Sequence, residues 1–187
     1  MKNLLNWPTG YQTTLTPIVQ GEFHVSTEPS VAFSTVLGSC VSVCLFDDVM
    51  KVGGMNHYLL AESSGQNSDS LRYGAHAMEL LINKLLRTGA SRSRLKAKVF
   101  GGSMMSGRFG HIGAQNSAFA FDFLSNEGLP VLGCDVGGRA ARRVNFHPVT
   151  GLVRCTTTQE KADEDHAMPA FTSAQRSPES ARAIELF

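Results

Sequence analysis

The chain reads as an α+β protein: two packed, largely antiparallel β-sheets with helices outside. Three observations predict this. Strand-like stretches rich in β-branched or apolar residues adjoin without helices between them: VAFSTV (31–36), VSVCLF (41–46) and KVGGMNHYLL (51–60). A helical period over residues 75–86 and the largely apolar run AFAFDFL (118–124) supply two helices. Late in the chain, ARRVNF and LVRCTTT flank HPVTG in the manner of a hairpin.

The elements follow in order. Residues 1–30 are weakly patterned and carry Pro8, Pro17 and Pro29, with Phe23-His24-Val25 as a short strand closed by a turn at Glu28-Pro29-Ser30. In the strand after Cys40, Val41, Val43 and Leu45 share one face, assigned to the core, and Ser42 and Cys44 the other. Asp47-Asp48 supplies a turn. AESSGQNSDS (61–70) is a polar loop longer than most connections in compact domains, and such loops often carry function. In the first helix Ala75, Met78, Leu81, Ile82, Leu85 and Leu86 recur at spacings of three and four, Arg87 suits the C-terminal dipole and Gly89 the cap. LKAKVF (95–100) is a strand running into Gly101-Gly102-Ser103. The second helix is expected to start at Asn116 or Ser117, either a suitable N-cap, and to run to Gly128, deeply buried because its apolar residues nearly encircle it. Residues 129–136 form another strand, ended by Gly137-Gly138.

At 187 residues the chain fits one domain, taken as 1–158, followed by a mobile tail over 159–187. Residues 156–187 carry Lys161, Arg176 and Arg182 against six Asp and Glu, a net charge of −3 on a proline-punctuated stretch. Hydrophobic residues at 42% and charged residues at 18% suit a globular protein. A net charge of +1 argues against nucleic acid as the partner. The N-terminal MKNLLNWPTG lacks the apolar centre of a secretory signal, and no membrane-inserting span is read, so the expected location is the cytoplasm. Cys40, Cys44, Cys134 and Cys155 are then reduced thiols rather than a disulfide framework, and their spacing does not make a zinc site.

Cys40 stands at a Gly-Ser-Cys corner between two strands, and His57 lies seventeen residues on, in a strand folded back beside the one after Cys40. A thiol must become a thiolate to attack a carbonyl carbon, and a neighbouring imidazole can take the proton and later return it to a leaving group. Backbone N–H groups at a tight corner can receive the developing oxyanion, and Gly53-Gly54 would let backbone approach the site closely. The plainer reading is a buried cysteine and a core histidine with a satisfied hydrogen bond.

The run LGSCV, then a β-rich segment and GGMNHYLL, resembles the CheD family of chemoreceptor glutamine deamidases. Tyr73-Gly74, AKVFGGSMM (97–105), IGAQN (112–116), Asp135-Val136-Gly137-Gly138 and RRVNFHPVTGLV (142–153) extend the similarity over residues 18–157. The resemblance implies a cysteine hydrolase that converts selected glutamines of methyl-accepting chemotaxis receptors to glutamate, with release of ammonia and without metal or organic cofactor. It implies Cys40 as nucleophile and His57 as general base. The family's third catalytic residue, a threonine six positions before the cysteine, falls on Ser34, with Thr35 adjacent as the alternative. The implied fold is related to a bacterial deamidating toxin. An alternative role within the resemblance is an adaptor binding a CheC-type chemotaxis phosphatase.

The remaining motifs carry less. Gly101-Gly102-Ser103 lacks the sequel of a phosphate loop and reads as a turn or close packing, or as lining of the site. Met104 and Met105 suit the core or a soft contact. Arg139, Arg142 and Arg143 read as a solvated face, with receptor or partner docking as the lesser reading. Cys44, Cys134 and Cys155 are assigned to packing, and His24, His76, His111, His147 and His166 show no ligand spacing.

Overall fold

A computed structural model describes residues 4–60, 68–104, 111–158 and 185–186. The strands are β1 (Leu4–Asn6), β2 (Gln12–Pro17), β3 (Phe23–Ser26), β4 (Val31–Leu37), β5 (Val41–Asp47), β6 (Val52–Asn56), β7 (Lys96–Gly101), β8 (Val131–Val136), β9 (Ala141–His147), β10 (Leu152–Thr158) and β11 (Glu185–Leu186). The helices are α1 (Ser68–Arg87) and α2 (Ile112–Asn126), with a single 3-10 turn at Arg92–Arg94.

The strands form two sheets, one in the order β1-β2-β4-β9-β10-β11 and one in the order β3-β6-β5-β7-β8. Pairing is antiparallel except for β2 with β4 and β7 with β8. The two-sheet α+β expectation therefore holds, with one refinement. Both helices lie on the outer face of the second sheet, α1 against β3 and β6, α2 against β5 and β7.

Three layers result: helices, second sheet, first sheet. Val41, Val43 and Leu45 meet Met78, Leu81, Ile82, Leu85, Ala120 and Leu124 between the helices and the second sheet. Phe33, Leu37, Cys44, Phe46, Met55, Phe100, Val144 and Phe146 fill the space between the sheets. Every residue of β5 is buried because the second sheet is covered on both faces, so the Ser42–Cys44 face is core as well.

Local chemistry explains several details. Asp47 is fully buried at the β5–β6 turn, where its carboxylate accepts the N–H groups of Val49, Met50 and Ser91 and pairs with Arg94. Gly89 ends α1 at a φ of 108°, with its N–H donated to the Leu86 carbonyl and that of Ala90 to Leu85. Strands β1 and β2 arise in the stretch expected to be weakly patterned. Threonines at 13, 14 and 16 suit a strand, and Pro17 stands at its end, where its lack of an N–H costs least.

Three expectations change. Helix α2 begins at Ile112, four residues before Asn116, and His111 provides no side-chain cap. It buries one face only, with Phe119, Phe121 and Phe123 half-buried. Arg142 is not on a solvated face: it is buried, donates to the carbonyls of Gly101 and Gly137, and lies 3.5 Å from Asp135.

Residues 61–67, the greater part of the polar loop, lie outside the described residues, as do Met105, His166 and positions 159–184 of the expected tail. Glu185–Leu186 pairs antiparallel with β10 at Cys155 and Arg154. No helix among the described residues is long and apolar enough to cross a membrane.

Candidate active site

β5 and β6 pair antiparallel with Cys44 opposite Met55, and the ladder extends to a bridge between Val41 and Tyr58. That register puts Ser42 opposite His57, and Cys40 two positions along on the same face. Cys40 and His57 are therefore diagonal neighbours on the side of the sheet that faces the other sheet. Cys40 is half-buried, packed at the border of the core between the sheets, and His57 is buried.

The first sheet reaches His57 through β4. Phe33 and Leu37 of this strand point into the core between the sheets. Alternation places Thr35 with them and Ser34 on the opposite face with Val36, which is 45% exposed. Thr35 Oγ1 lies 2.9 Å from His57 Nδ1 and donates its own hydrogen to the Ile18 carbonyl at 2.8 Å. The same carbonyl lies 3.4 Å from His57 Nδ1. A carbonyl only accepts, so with Thr35 donating to Ile18 a hydrogen on Nδ1 is the tautomer that satisfies both oxygens. That tautomer leaves Nε2 as an acceptor, buried and without a hydrogen-bond partner among the described residues. Of the two candidates for a third site residue, the structure thus brings Thr35 to the imidazole, while Ser34 lines the adjoining cavity.

The corner at Cys40 is held by its carbonyls. Gly38 accepts from Ser103 N–H and Cys40 from Gly102 N–H, both at 2.8 Å, and Ser39 accepts from Asn116 Nδ2 at 3.2 Å. In a trans peptide the N–H points opposite to the C=O, so the amides of Ser39 and Cys40 face away from these partners. Gly101-Gly102-Ser103 is accordingly the floor of the corner. At Gly101 φ is 109° and a Cβ would collide with the Cys40 carbonyl, so only glycine fits. Gly53 and Gly54 turn out not to line the site. A side chain on Gly53 would strike Pro148, and one on Gly54 would strike Leu81 and Val25, so these glycines seat β6 against its neighbours.

Asn116 is the residue that composition did not reveal. Fully buried on α2, it accepts the Leu60 N–H at 2.7 Å and donates to Ser39, while Tyr58 hydroxyl donates to its backbone carbonyl. It joins the histidine segment to the cysteine corner. The sequence marks it in two ways, by its place in the IGAQN run that carries the family resemblance and as a candidate helix cap.

Burial raises the Cys40 thiol pKa above its ordinary 9.0, with its own backbone amide acting in opposition. Burial lowers that of His57 below 6.5, opposed by the Ile18 carbonyl. Both effects favour a neutral thiol beside a neutral imidazole. A cavity of about 300 Å³ opens over His57 and Thr35, walled by Ile18, Gln20, Ser34 and Val36, with Arg143 at its side. Val19, 58% exposed, also borders it. Of the other cysteines, Cys44 and Cys155 are buried as expected, whereas Cys134 is exposed on β8, contrary to its assignment to packing.

A family profile described as CheD chemotactic sensory transduction matches residues 59–157. The chain is similar to a protein of Ruegeria sp. named probable chemoreceptor glutamine deamidase CheD 1, 48% identical over 180 residues, covering 94% of this chain and 96% of that one. A Zymomonas mobilis protein named probable chemoreceptor glutamine deamidase CheD is 53% identical over 141 residues, 74% of this chain and 77% of that one. A solved structure of a Neisseria meningitidis protein has a TM-score of 0.48 and 12% identity, covering 73% of this chain and 76% of that one.

Proposed function

The chain belongs to the CheD family, and from that premise we propose that it is a cysteine hydrolase that deamidates glutamine side chains of chemotaxis receptors. One observation carries the mechanism: Thr35 Oγ1 and the Ile18 carbonyl both lie against Nδ1 of His57, and a buried Nε2, unpaired among the described residues, lies on the same sheet face as Cys40. A hydrogen held on Nδ1 is the tautomer a general base needs.

In the proposed reaction Nε2 takes the thiol proton as Cys40 Sγ attacks the carboxamide carbon of a receptor glutamine. The oxyanion is received by the outward-facing amides of the Ser39–Cys40 corner, a placement supported by the engagement of all three corner carbonyls elsewhere. The imidazolium returns its proton to the departing ammonia, leaving a thioester. Water, deprotonated by the same Nε2, attacks the thioester and releases glutamate and the thiol. Thr35 keeps the ring oriented through both halves. The exposed Val19 and Val36 beside the cavity, with Arg143 at its side, supply an apolar and basic rim for a receptor helix.

The test is mass spectrometry of receptor cytoplasmic fragments incubated with wild type, Cys40→Ala and His57→Ala. Wild type converts specific glutamines to glutamate, Cys40→Ala converts none, and His57→Ala is slowed on the order of 10²- to 10⁴-fold. Absence of conversion by wild type contradicts the reading, and conversion that survives Cys40→Ala contradicts the mechanism. A purely adaptor role toward a CheC-type phosphatase would instead leave partner binding and its effect intact in Cys40→Ala.

A further inference from the structure

The thiol of Cys40 has a partner, and it is not the imidazole. Cys40 Sγ donates to Gln20 Oε1 at 3.6 Å, while His57 Nε2 is unpaired among the described residues. The contact therefore sets a side-chain carboxamide, the functional group of the proposed substrate, against the proposed nucleophile.

Its position is built into the backbone. Gln20 sits in a turn where Glu22 N–H donates to the Val19 carbonyl at 3.1 Å and the Glu22 carboxylate accepts the Val19 N–H at 3.2 Å. The turn is fastened to the histidine itself. Gly21 N–H donates to the His57 carbonyl at 2.7 Å, and His57 N–H to the Glu22 carbonyl at 3.0 Å. Gly21 adopts a φ of 89°, which favours glycine at this tight bend. Gln20 also walls the cavity above His57, and Cys40 is not among the residues lining that cavity. The glutamine thus touches both the cavity and the thiol.

We infer that Gln20 is an internal carboxamide that holds the resting Cys40 thiol away from His57 Nε2 and must be displaced by the incoming substrate carboxamide before the pair can engage. The inference rests on Cys40 and His57 being the reacting pair. Gln20 presents its oxygen to the sulfur and is tethered through its turn, so it acts as a competitor and not as a substrate. Its residence lowers the apparent affinity for receptor by the fraction of molecules in which it is seated. It also keeps the thiol neutral when no receptor is bound.

Site-resolved alkylation of Cys40 by iodoacetamide tests this without any receptor, with peptide mapping to separate Cys40 from the exposed Cys134. Gln20→Ala is expected to raise the Cys40 alkylation rate about three- to tenfold, the range for loss of one hydrogen bond. Its pH profile should acquire an inflection at lower pH than that of wild type as the freed thiol pairs with His57, and that inflection should vanish in Gln20→Ala/His57→Ala. With receptor fragment, Gln20→Ala should lower KM by a similar factor while kcat holds, and Gln20→Glu should not restore wild-type behaviour. An unchanged Cys40 rate and profile in Gln20→Ala, a raised KM, or Cys40-dependent conversion of residue 20 to glutamate would each overturn the inference. Because alkylation needs no substrate, it separates failure of this inference from failure of the deamidase reading.

Discussion

Thr35 and Ser34 are adjacent hydroxyls, and strand geometry separates their roles. β4 directs Phe33, Thr35 and Leu37 inward, so Thr35 reaches Nδ1 of His57 and Ser34 does not. Thr35→Val should therefore lower kcat about 100-fold, the order expected when a reacting group is misplaced by an ångström, whereas Ser34→Ala should cost far less. Stopped assays of ammonia release on the two variants decide this, and equal losses would contradict the assignment. Counting positions from the cysteine pointed to Ser34 with Thr35 as the alternative, and the alternation of VAFSTVL is the feature of the sequence that puts the two on opposite faces. The imidazole must be neutral to accept a proton, and burial places its pKa below 6.5. Hence kcat/KM should decline as pH falls with a midpoint below the ordinary imidazole value of 6.5. A decline centred above 6.5 would show that the imidazole is not desolvated.

At the scale of elements, the site is assembled from β4, the corner before β5, the segment after β6, and α2. Its strands were legible because β-branched runs and the 3.6-residue period in α1 are local signals. The start of α2, the burial of Arg142 and the function of Asn116 were not legible, since each depends on residues far along the chain. Arg142 serves the Gly101 carbonyl, 41 positions away, and Asn116 serves Ser39, 77 positions away. Asn116→Ala leaves the buried Leu60 N–H without an acceptor and releases the Ser39 carbonyl. It should cost about 1–3 kcal/mol of stability. It should also reduce kcat under conditions where circular dichroism shows the variant folded. A variant that is destabilised yet has wild-type kcat would show that α2 supports the fold without positioning the corner.

For the whole molecule, the second sheet is the shared layer, covered by helices on one face and by the first sheet on the other. Asp47 fastens the β5–β6 turn, the start of the ladder that carries both Cys40 and His57. Burial works against its ionisation, but Arg94 and the N–H groups of Ser91, Met50 and Val49 prevail and bring its pKa from 3.8 to about 2. A folded value below the unfolded one means that the carboxylate stabilises the fold fully above pH 4, and that this contribution is lost as pH falls from 4 toward 2. Urea titrations should show wild type losing more stability than Asp47→Asn over that interval, and parallel losses would contradict the network. The function proposed for this architecture rests on a covalent step at one sulfur. Acid quenching of wild type during turnover of a receptor fragment, followed by intact-mass analysis and peptide mapping, tests that step most directly. The predicted result is an adduct on Cys40 with the mass of the fragment less ammonia, absent from Cys40→Ala; its absence during active conversion of glutamine to glutamate, or its appearance on another residue, would contradict the account.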